Sequence, residues 1–272
     1  MAVKDSQMKG RIMLGPAGSP EPSTIGGVAS VSQMGLSALE VEFTHGVRMK
    51  KETAEDIGRA AKKFGIALSV HAPYFINLAS EDPKKREASK QRILQSAELA
   101  SIMGATPVVF HAAYYGKMPK EECYEIVRDA IIEIQETMRK NGWHTELAPE
   151  TTGKCSQFGT VEELLKLRNE TGCGLCIDFA HILARNGKID YDEVLEKLKG
   201  IEHIHSHFSG IEYSAKGERY HKIMEASEIK KLIRAVVKAG ADITIISESP
   251  ITWQDSLKMK KIVESLRVRE RD

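Results

Sequence analysis

Histidines and carboxylates recur in this sequence where short apolar segments end. Segment 66–70 ends at His71, and Pro73 then blocks further β pairing, while segment 107–110 ends at His111. Further candidates occupy comparable positions along the chain: Glu150, Asp178, His181, His207, Glu218, His221 and Glu248. Imidazole nitrogens and carboxylate oxygens are both ligands of divalent metals. The pattern therefore predicts a metal centre, provided that the fold brings these segment ends together.

A cluster of these side chains would need a source of positive charge, because buried unpaired carboxylates are costly. Lysine and arginine are scarce at the segment ends, so a divalent metal is the simplest source. Mixed nitrogen and oxygen ligands without thiolate favour zinc or manganese, and five histidines among nine candidates favour zinc. Nine ligands exceed the needs of one tetrahedral ion and predict two or three ions.

The seventh apolar segment offers three histidines, which share one face of a strand by its period of two. Only the histidine nearest the carboxyl end of the strand should reach the ligand cluster. That position makes His207 the candidate and His205 the reserve, whereas His203 fits a packed or hydrogen-bonded core residue.

Each candidate alone has a simpler explanation. A single histidine at a strand end is usually hydrogen-bonded within a loop, and a single glutamate is usually solvated. The recurrence over six successive segments favours a shared site. The four cysteines are too few for a disulfide framework, and Cys173 and Cys176 fit small buried residues at the start of a strand better than a metal or redox site.

Helical and extended patterns alternate along the whole chain. Strands are predicted at 11–14, 38–43, 66–71, 107–110, 145–148, 174–177, 201–208 and 243–246. Helices are predicted at 22–36, 51–64, 83–103, 119–140, 160–170, 191–198, 225–239 and 254–268. Eight strand–helix units in one chain favour an α/β fold of the closed (β/α)8 TIM barrel type. We expect a single domain over 1–272, with a flexible N-terminus at 1–9.

An open, doubly wound sheet is the alternative fold. It usually carries a glycine-rich phosphate loop after its first strand, and the segment 15–18, Gly-Pro-Ala-Gly, does not match that fingerprint.

Composition narrows the classes of partner. The net charge of +1 gives no global case for binding a polyanion, so any such site must be a local patch. No apolar segment is long enough to span a membrane, and the first residues lack the apolar core of a signal peptide. We therefore expect a cytoplasmic protein without membrane contact, and a monomer.

Four motifs give the sequence a resemblance to the endonuclease IV family of abasic-site endonucleases, within the wider xylose isomerase-like barrels. Residues 71–80, His-Ala-Pro-Tyr-Phe-Ile-Asn-Leu-Ala-Ser, are similar to that family's most specific signature. Residues 176–181 resemble its Cys-x-Asp-x-x-His motif, 149–153 its Glu-Asn-Thr-Ala-Gly turn, and 248–250 its Glu-Thr-Pro. The motifs occur in the family's order from about residue 10 to 265.

The resemblance implies a trinuclear zinc site. The first zinc would be held by His71, His111 and Glu150; the second by Glu150, Asp178, His207 and Glu248; and the third by His181, Glu218 and His221. The family usually has Asp-x-His where this chain has Glu218-Arg-Tyr-His221, one residue longer, so the third site departs most from the pattern.

The activity implied is zinc-dependent hydrolysis of the phosphodiester 5′ to an abasic site in duplex DNA, as in base-excision repair. Glu150 would be the catalytic residue, and Mn²⁺ is a possible replacement for Zn²⁺. Tyr74, Asn77 and Arg48 would contact substrate, Arg48 from a short loop after the second strand. Loop cations that could meet phosphates are Lys117, Lys154, Arg185, Lys216 and Arg219.

Two other functions are compatible with such a barrel. A metal-dependent sugar or sugar-phosphate isomerase or epimerase would need one metal and fewer histidines. A metal-stabilised binding module would not need open coordination positions. The nine candidate ligands favour the nuclease over both.

Overall fold

The protein alternates strands and helices as the sequence predicts. This computed structural model describes residues 10–269. The predicted flexible segment 1–9 lies outside the described residues, so the expectation of one domain over 1–272 stays a prediction.

Parallel strands of the barrel are β1 (Ile12–Pro16), β2 (Ala38–Glu42), β3 (Ala67–His71), β4 (Val108–Phe110), β5 (Leu147–Pro149), β6 (Cys176–Asp178), β7 (Ile204–Phe208) and β10 (Ile243–Ser247). Strands β8 (Gly210–Ser214) and β9 (Gly217–Lys222) form an antiparallel hairpin after β7. The helices are α1 (Thr24–Gln33), α2 (Lys51–Phe64), α3 (Pro83–Met103), α4 (Lys120–Lys140), α5 (Val161–Thr171), α6 (Phe179–Asn186), α7 (Tyr191–Lys197), α8 (Ala226–Ala239) and α9 (Thr252–Arg269).

The eight parallel strands close into a barrel. They pair in the orders β1-β10-β7-β6 and β2-β3-β4-β5. Single parallel bridges, Ala17 with Glu40 and Glu150 with Cys176, join the two halves between β1 and β2 and between β5 and β6. The predicted (β/α)8 fold is therefore confirmed, and the doubly wound alternative is wrong.

Helix ends follow local chemistry. Thr160 and Glu163 form the capping box that starts α5, and Gly65 ends α2 with a φ of 69°. Helix α2 begins at Lys51 without a side-chain cap. Across the described helices, none combines the length and the apolar character needed to cross a membrane.

Helix α6 follows β6 without a loop and was not predicted. Asp178 is its N-cap and accepts a hydrogen bond of 2.7 Å from the backbone N–H of His181. This cap places the His181 side chain over the carboxyl end of the barrel, where functional residues of such barrels lie.

Candidate metal centre

The Glu150 carboxylate lies at the centre of a ring of four histidines. Its Oε2 is 3.3 Å from His71 Nε2 and 3.0 Å from His111 Nε2. Its Oε1 is 3.2 Å from both His181 Nδ1 and His207 Nδ1. Glu150 is 1% exposed, so both oxygens are available only to groups inside this cluster. Glu150 can therefore bridge two cations, one at each oxygen.

All nine predicted ligands meet at this place. Donor atoms within 4.8 Å of one another form three groups: His71, His111 and Glu150; Glu150, Asp178, His207 and Glu248; and Asp178, His181 and His221. Glu218 joins the third group, with its Oε2 3.4 Å from His181 Nε2 and its Oε1 3.8 Å from His221 Nε2. On strand β7 it is His207 that joins these groups, whereas His205 lies one layer deeper.

Backbone carbonyls set the orientation of three of these rings. Nδ1 lies 2.7 Å from Ala72 O in His71, 2.9 Å from Thr151 O in His181 and 3.0 Å from Glu248 O in His221. A carbonyl only accepts, so each Nδ1 carries a hydrogen. The lone pair of each neutral ring is then on Nε2, which faces Glu150 in His71 and Glu218 in His181 and His221. Histidines that ligate metals commonly have this arrangement.

At two points of the cluster, atoms with lone pairs lack a hydrogen-bond donor. The Nε2 atoms of His181 and His221 are 3.4 Å apart and both face Glu218. Asp178 Oδ2 is buried and has no hydrogen-bond partner among the described residues. Facing lone pairs and an unpaired carboxylate oxygen are unfavourable unless a cation or protons lie between them. The residues therefore fit divalent metal ions.

The protonation of the cluster reflects the same demand for positive charge. Burial alone would raise the pKa of Glu150, but His111 and His207 hold that pKa well below its usual range. Burial opposes charge on His71, yet the hydrogen bond to Glu150 and the nearby Glu42 raise the pKa of His71 to about 10. Within residues 10–266, no lysine or arginine forms an ion pair with Glu150, Asp178, Glu218 or Glu248.

A β-bulge in the β8–β9 hairpin directs two of the ligands. Ile211 pairs with His221 and Glu212 with Tyr220, but Tyr213 pairs with Glu218, so Arg219 is an extra residue. In a regular strand, residues three apart face opposite sides. The extra residue corrects this, and Glu218 and His221 both face the cluster. The β-bulge therefore compensates for the longer spacing between Glu218 and His221 in the sequence.

The cluster opens into a cavity of about 500 Å³. Its wall includes the predicted contact residue Tyr74, whose side chain is half exposed, together with Tyr114 and Lys154. A cavity of this size accommodates a nucleotide or a sugar.

Two predicted contact residues do not line this cavity. The Asn77 carboxamide oxygen accepts from the backbone N–H groups of Ala79 and Tyr114, so this side chain joins two loops. Arg48 is exposed on the loop after β2 and lies outside the cavity wall. Among the predicted loop cations, Arg185 donates to the carbonyls of Thr152, Lys154 and Gln157 and therefore holds the β5 loop.

Comparison with known proteins assigns the chain to a family. The chain matches the xylose isomerase-like TIM barrel family over residues 28–269. It belongs to that family.

Two relatives resemble this member of the xylose isomerase-like TIM barrel family over most of its length. An uncharacterized protein of Methanocaldococcus jannaschii is 36% identical, covering 94% of this chain and 98% of that protein. A probable endonuclease 4 of Mycobacterium leprae is 27% identical, covering 76% and 86%.

Solved structures show the same fold. Endonuclease IV from Thermus thermophilus has a TM-score of 0.72 at 18% identity, covering 96% of this chain and 99% of that one. A D-psicose 3-epimerase has a TM-score of 0.64 at 15% identity, covering 92% and 93%. The predicted resemblance to endonuclease IV is confirmed, within a fold that epimerases share.

This xylose isomerase-like barrel carries two acidic residues in its centre that sequence reasoning did not assign. Glu40 is fully buried beneath the cluster, and Glu42 lines the cavity; donor atoms of both lie within 4.8 Å of Glu248. Burial raises the pKa of Glu42 to about 8. Strand β2 therefore contributes carboxylates to a site that was expected to start at β3.

We expect metal uptake by this barrel to release protons and to strengthen as pH rises. Near neutral pH the metal-free protein holds protons on groups of raised pKa such as His71, and a metal must displace them. Calorimetric titration of the stripped protein with Zn²⁺ in buffers of different ionisation enthalpy should show on the order of one proton released per ion. Affinity that is flat between pH 6 and 9 would contradict this assignment of protonation.

Proposed function

We propose that this protein is a zinc-dependent endonuclease of the endonuclease IV type, which hydrolyses the phosphodiester 5′ to abasic sites in duplex DNA. The observation that carries the proposal is the set of nine candidate ligands, Glu150 and the eight around it, arranged as three groups that open into one cavity. Relatives named probable endonuclease 4 support the same reading.

The third ligand group distinguishes this proposal from a mononuclear enzyme. His181, Glu218 and His221 would be redundant in a site built for one ion, because Glu150, Asp178, His207 and Glu248 already offer four ligands. Nevertheless, a bulge in the hairpin and the cap of α6 direct that third group inward. We infer two or three zinc ions, with Mn²⁺ as the alternative metal.

Zinc bound here would lower the pKa of a water molecule and offset the charge of the phosphodiester. The residues of the chain would position the atoms that bind the zinc. Glu150 has a depressed pKa and contacts histidines of the first two ligand groups, so as a carboxylate it can link these groups. His71, His181 and His221 keep their Nε2 atoms directed inward through their backbone hydrogen bonds.

The cavity wall would orient the substrate. Lys154 could pair with a phosphate oxygen, and the half-exposed ring of Tyr74 could pack against a sugar turned out of the duplex. Arg48 is exposed outside the cavity, so it fits a contact with the duplex backbone rather than with the reacting group.

The test is incision of a duplex that carries a single stable abasic-site analogue. Zinc-loaded protein should cut 5′ to the lesion, and prior treatment with a chelator should abolish cutting until zinc is restored. The undamaged duplex of the same sequence is the control. Absence of incision by protein that holds at least two zinc ions per chain would overturn the proposal.

A sugar or sugar-phosphate isomerase or epimerase is the second candidate. The four-ligand group of Glu150, Asp178, His207 and Glu248 could hold one metal without the others, and Glu42 adds a carboxyl group of raised pKa to the cavity wall. One metal per chain, together with epimerisation of a ketose, would favour this candidate over the nuclease.

A further inference from the structure

A buried polar layer lies directly beneath the proposed metal centre. Its members are Glu40 on β2, Ser69 on β3 and His205 on β7, each 6% exposed or less. Glu40 Oε2 accepts from the Ser69 hydroxyl at 2.7 Å and lies 3.0 Å from His205 Nε2. Two contacts from different strands therefore fix one oxygen of this carboxylate.

The other oxygen of Glu40 faces His207. Oε1 lies 2.8 Å from His207 Nε2, although the alignment falls short of a good hydrogen bond. Neither atom has a hydrogen-bond partner elsewhere in the described chain. His207 Nδ1 is also within hydrogen-bond distance of Glu150 Oε1, at 3.2 Å. When a metal takes the place of a hydrogen on Nδ1, the remaining ring hydrogen belongs on Nε2, because an ionised carboxylate only accepts.

The opposite side of the same ring faces the ligand cluster. His207 Nδ1 is 3.2 Å from Glu150 Oε1 and 3.4 Å from Glu248 Oε1. A hydrogen held on Nε2 by Glu40 leaves the Nδ1 lone pair for a metal. His71, His181 and His221 have the reverse tautomer, held by backbone carbonyls, whereas His207 has the Glu40 carboxylate in that place.

We propose that Glu40 is a positioning residue, which holds the tautomer and the ring plane of His207 so that Nδ1 binds the metal shared with Glu150, Asp178 and Glu248. Ser69 and His205 keep Glu40 in place. Carboxylates behind ligating histidines also raise the basicity of the ring, and their loss commonly weakens metal binding about 10- to 100-fold. The inference rests on the metal centre of the proposed function but not on the substrate.

The test uses the purified full-length protein, stripped of metal and reloaded with Zn²⁺ or Co²⁺ alone. The Glu40→Gln variant keeps the shape but loses the charge. We expect its affinity for one of the zinc ions to fall about 10- to 100-fold in a chelator competition, with an altered visible spectrum of the cobalt form. Glu40→Asp should recover part of the affinity. Glu146→Gln, a surface change before β5, is the matched control.

Two results would overturn the inference. A folded Glu40→Gln variant, as judged by circular dichroism, that keeps the zinc affinity and cobalt spectrum of the wild type would show a merely structural carboxylate. A thiolate-to-cobalt charge-transfer band that disappears in Cys176→Ala would show that the buried layer binds metal itself, because Cys176, His205 and His207 also lie within 4.8 Å. Failure to incise DNA would leave both readouts intact and would count against the proposed nuclease alone.

Discussion

A Glu150→Gln variant is expected to lose at least about 10³-fold in phosphodiester hydrolysis, together with part of its bound metal. The substitution removes the one charge that contacts His71, His111, His181 and His207 at 3.0–3.3 Å. Metal ions contribute several kcal/mol of transition-state stabilisation to such reactions. A loss of about 4 kcal/mol of this stabilisation corresponds to about 10³-fold in rate. Incision rates and metal content, measured on the same preparation, check the prediction.

The control is Glu146→Gln, which changes the same residue type just before the same strand. Glu146 lies on the surface, where it pairs with Arg168 at 3.4 Å, so its loss should change neither rate nor metal content measurably. If the Glu150→Gln variant incised DNA at the rate of the wild type, Glu150 would have no role in the reaction.

The second large effect is expected in stability, for Gly15→Ala. A Cβ at position 15 of β1 would lie 1.9 Å from the carbonyl oxygen of Ala38 on β2, a backbone atom that cannot turn aside. The same seam of the barrel is joined by backbone hydrogen bonds from Ser37 N–H to Leu14 O and from Gly18 N–H to Glu40 O. We expect the free energy of unfolding to fall by about 3 kcal/mol or more, measured by urea denaturation.

Gly65→Ala is the comparison for Gly15→Ala. Gly65 has a φ of 69°, but a Cβ there meets no atom within 4 Å. Its substitution should therefore cost only the backbone strain, about 1 kcal/mol. Equal losses for the two variants would show that the close contact between β1 and β2 relaxes freely.

The ligands at strand ends could be predicted because their positions follow from period and topology. His71 and Glu248 adjoin short apolar strands, and parallel strands of a closed barrel deliver their carboxyl ends to one face. His207 could likewise be preferred over His205. Residues two apart on a strand face the same side, and the one nearer the carboxyl end lies one layer closer to the mouth of the barrel.

Glu40 and Glu42 were missed because their alternation with Leu39 and Val41 looks like a strand with one solvated face. In a closed barrel neither face is solvated. Leu39 and Val41 are buried, so the glutamates must face the interior. The alternation of glutamates with apolar residues was visible in the sequence, but only the closed barrel shows which way the glutamates point. The hydrogen bonds that join Asn77 to a neighbouring loop left no such signal.

The bulge at Arg219 has a consequence for how such sites vary in evolution. Deleting this one residue would restore a regular ladder in which Glu218 and the histidine after it, now two apart, again face the same side. Loss or gain of this one bulge residue is therefore neutral for the direction of these two side chains. A sequence search with a fixed Asp-x-His spacing would separate a hairpin with the bulge from one without it, although both direct the two side chains to the same side.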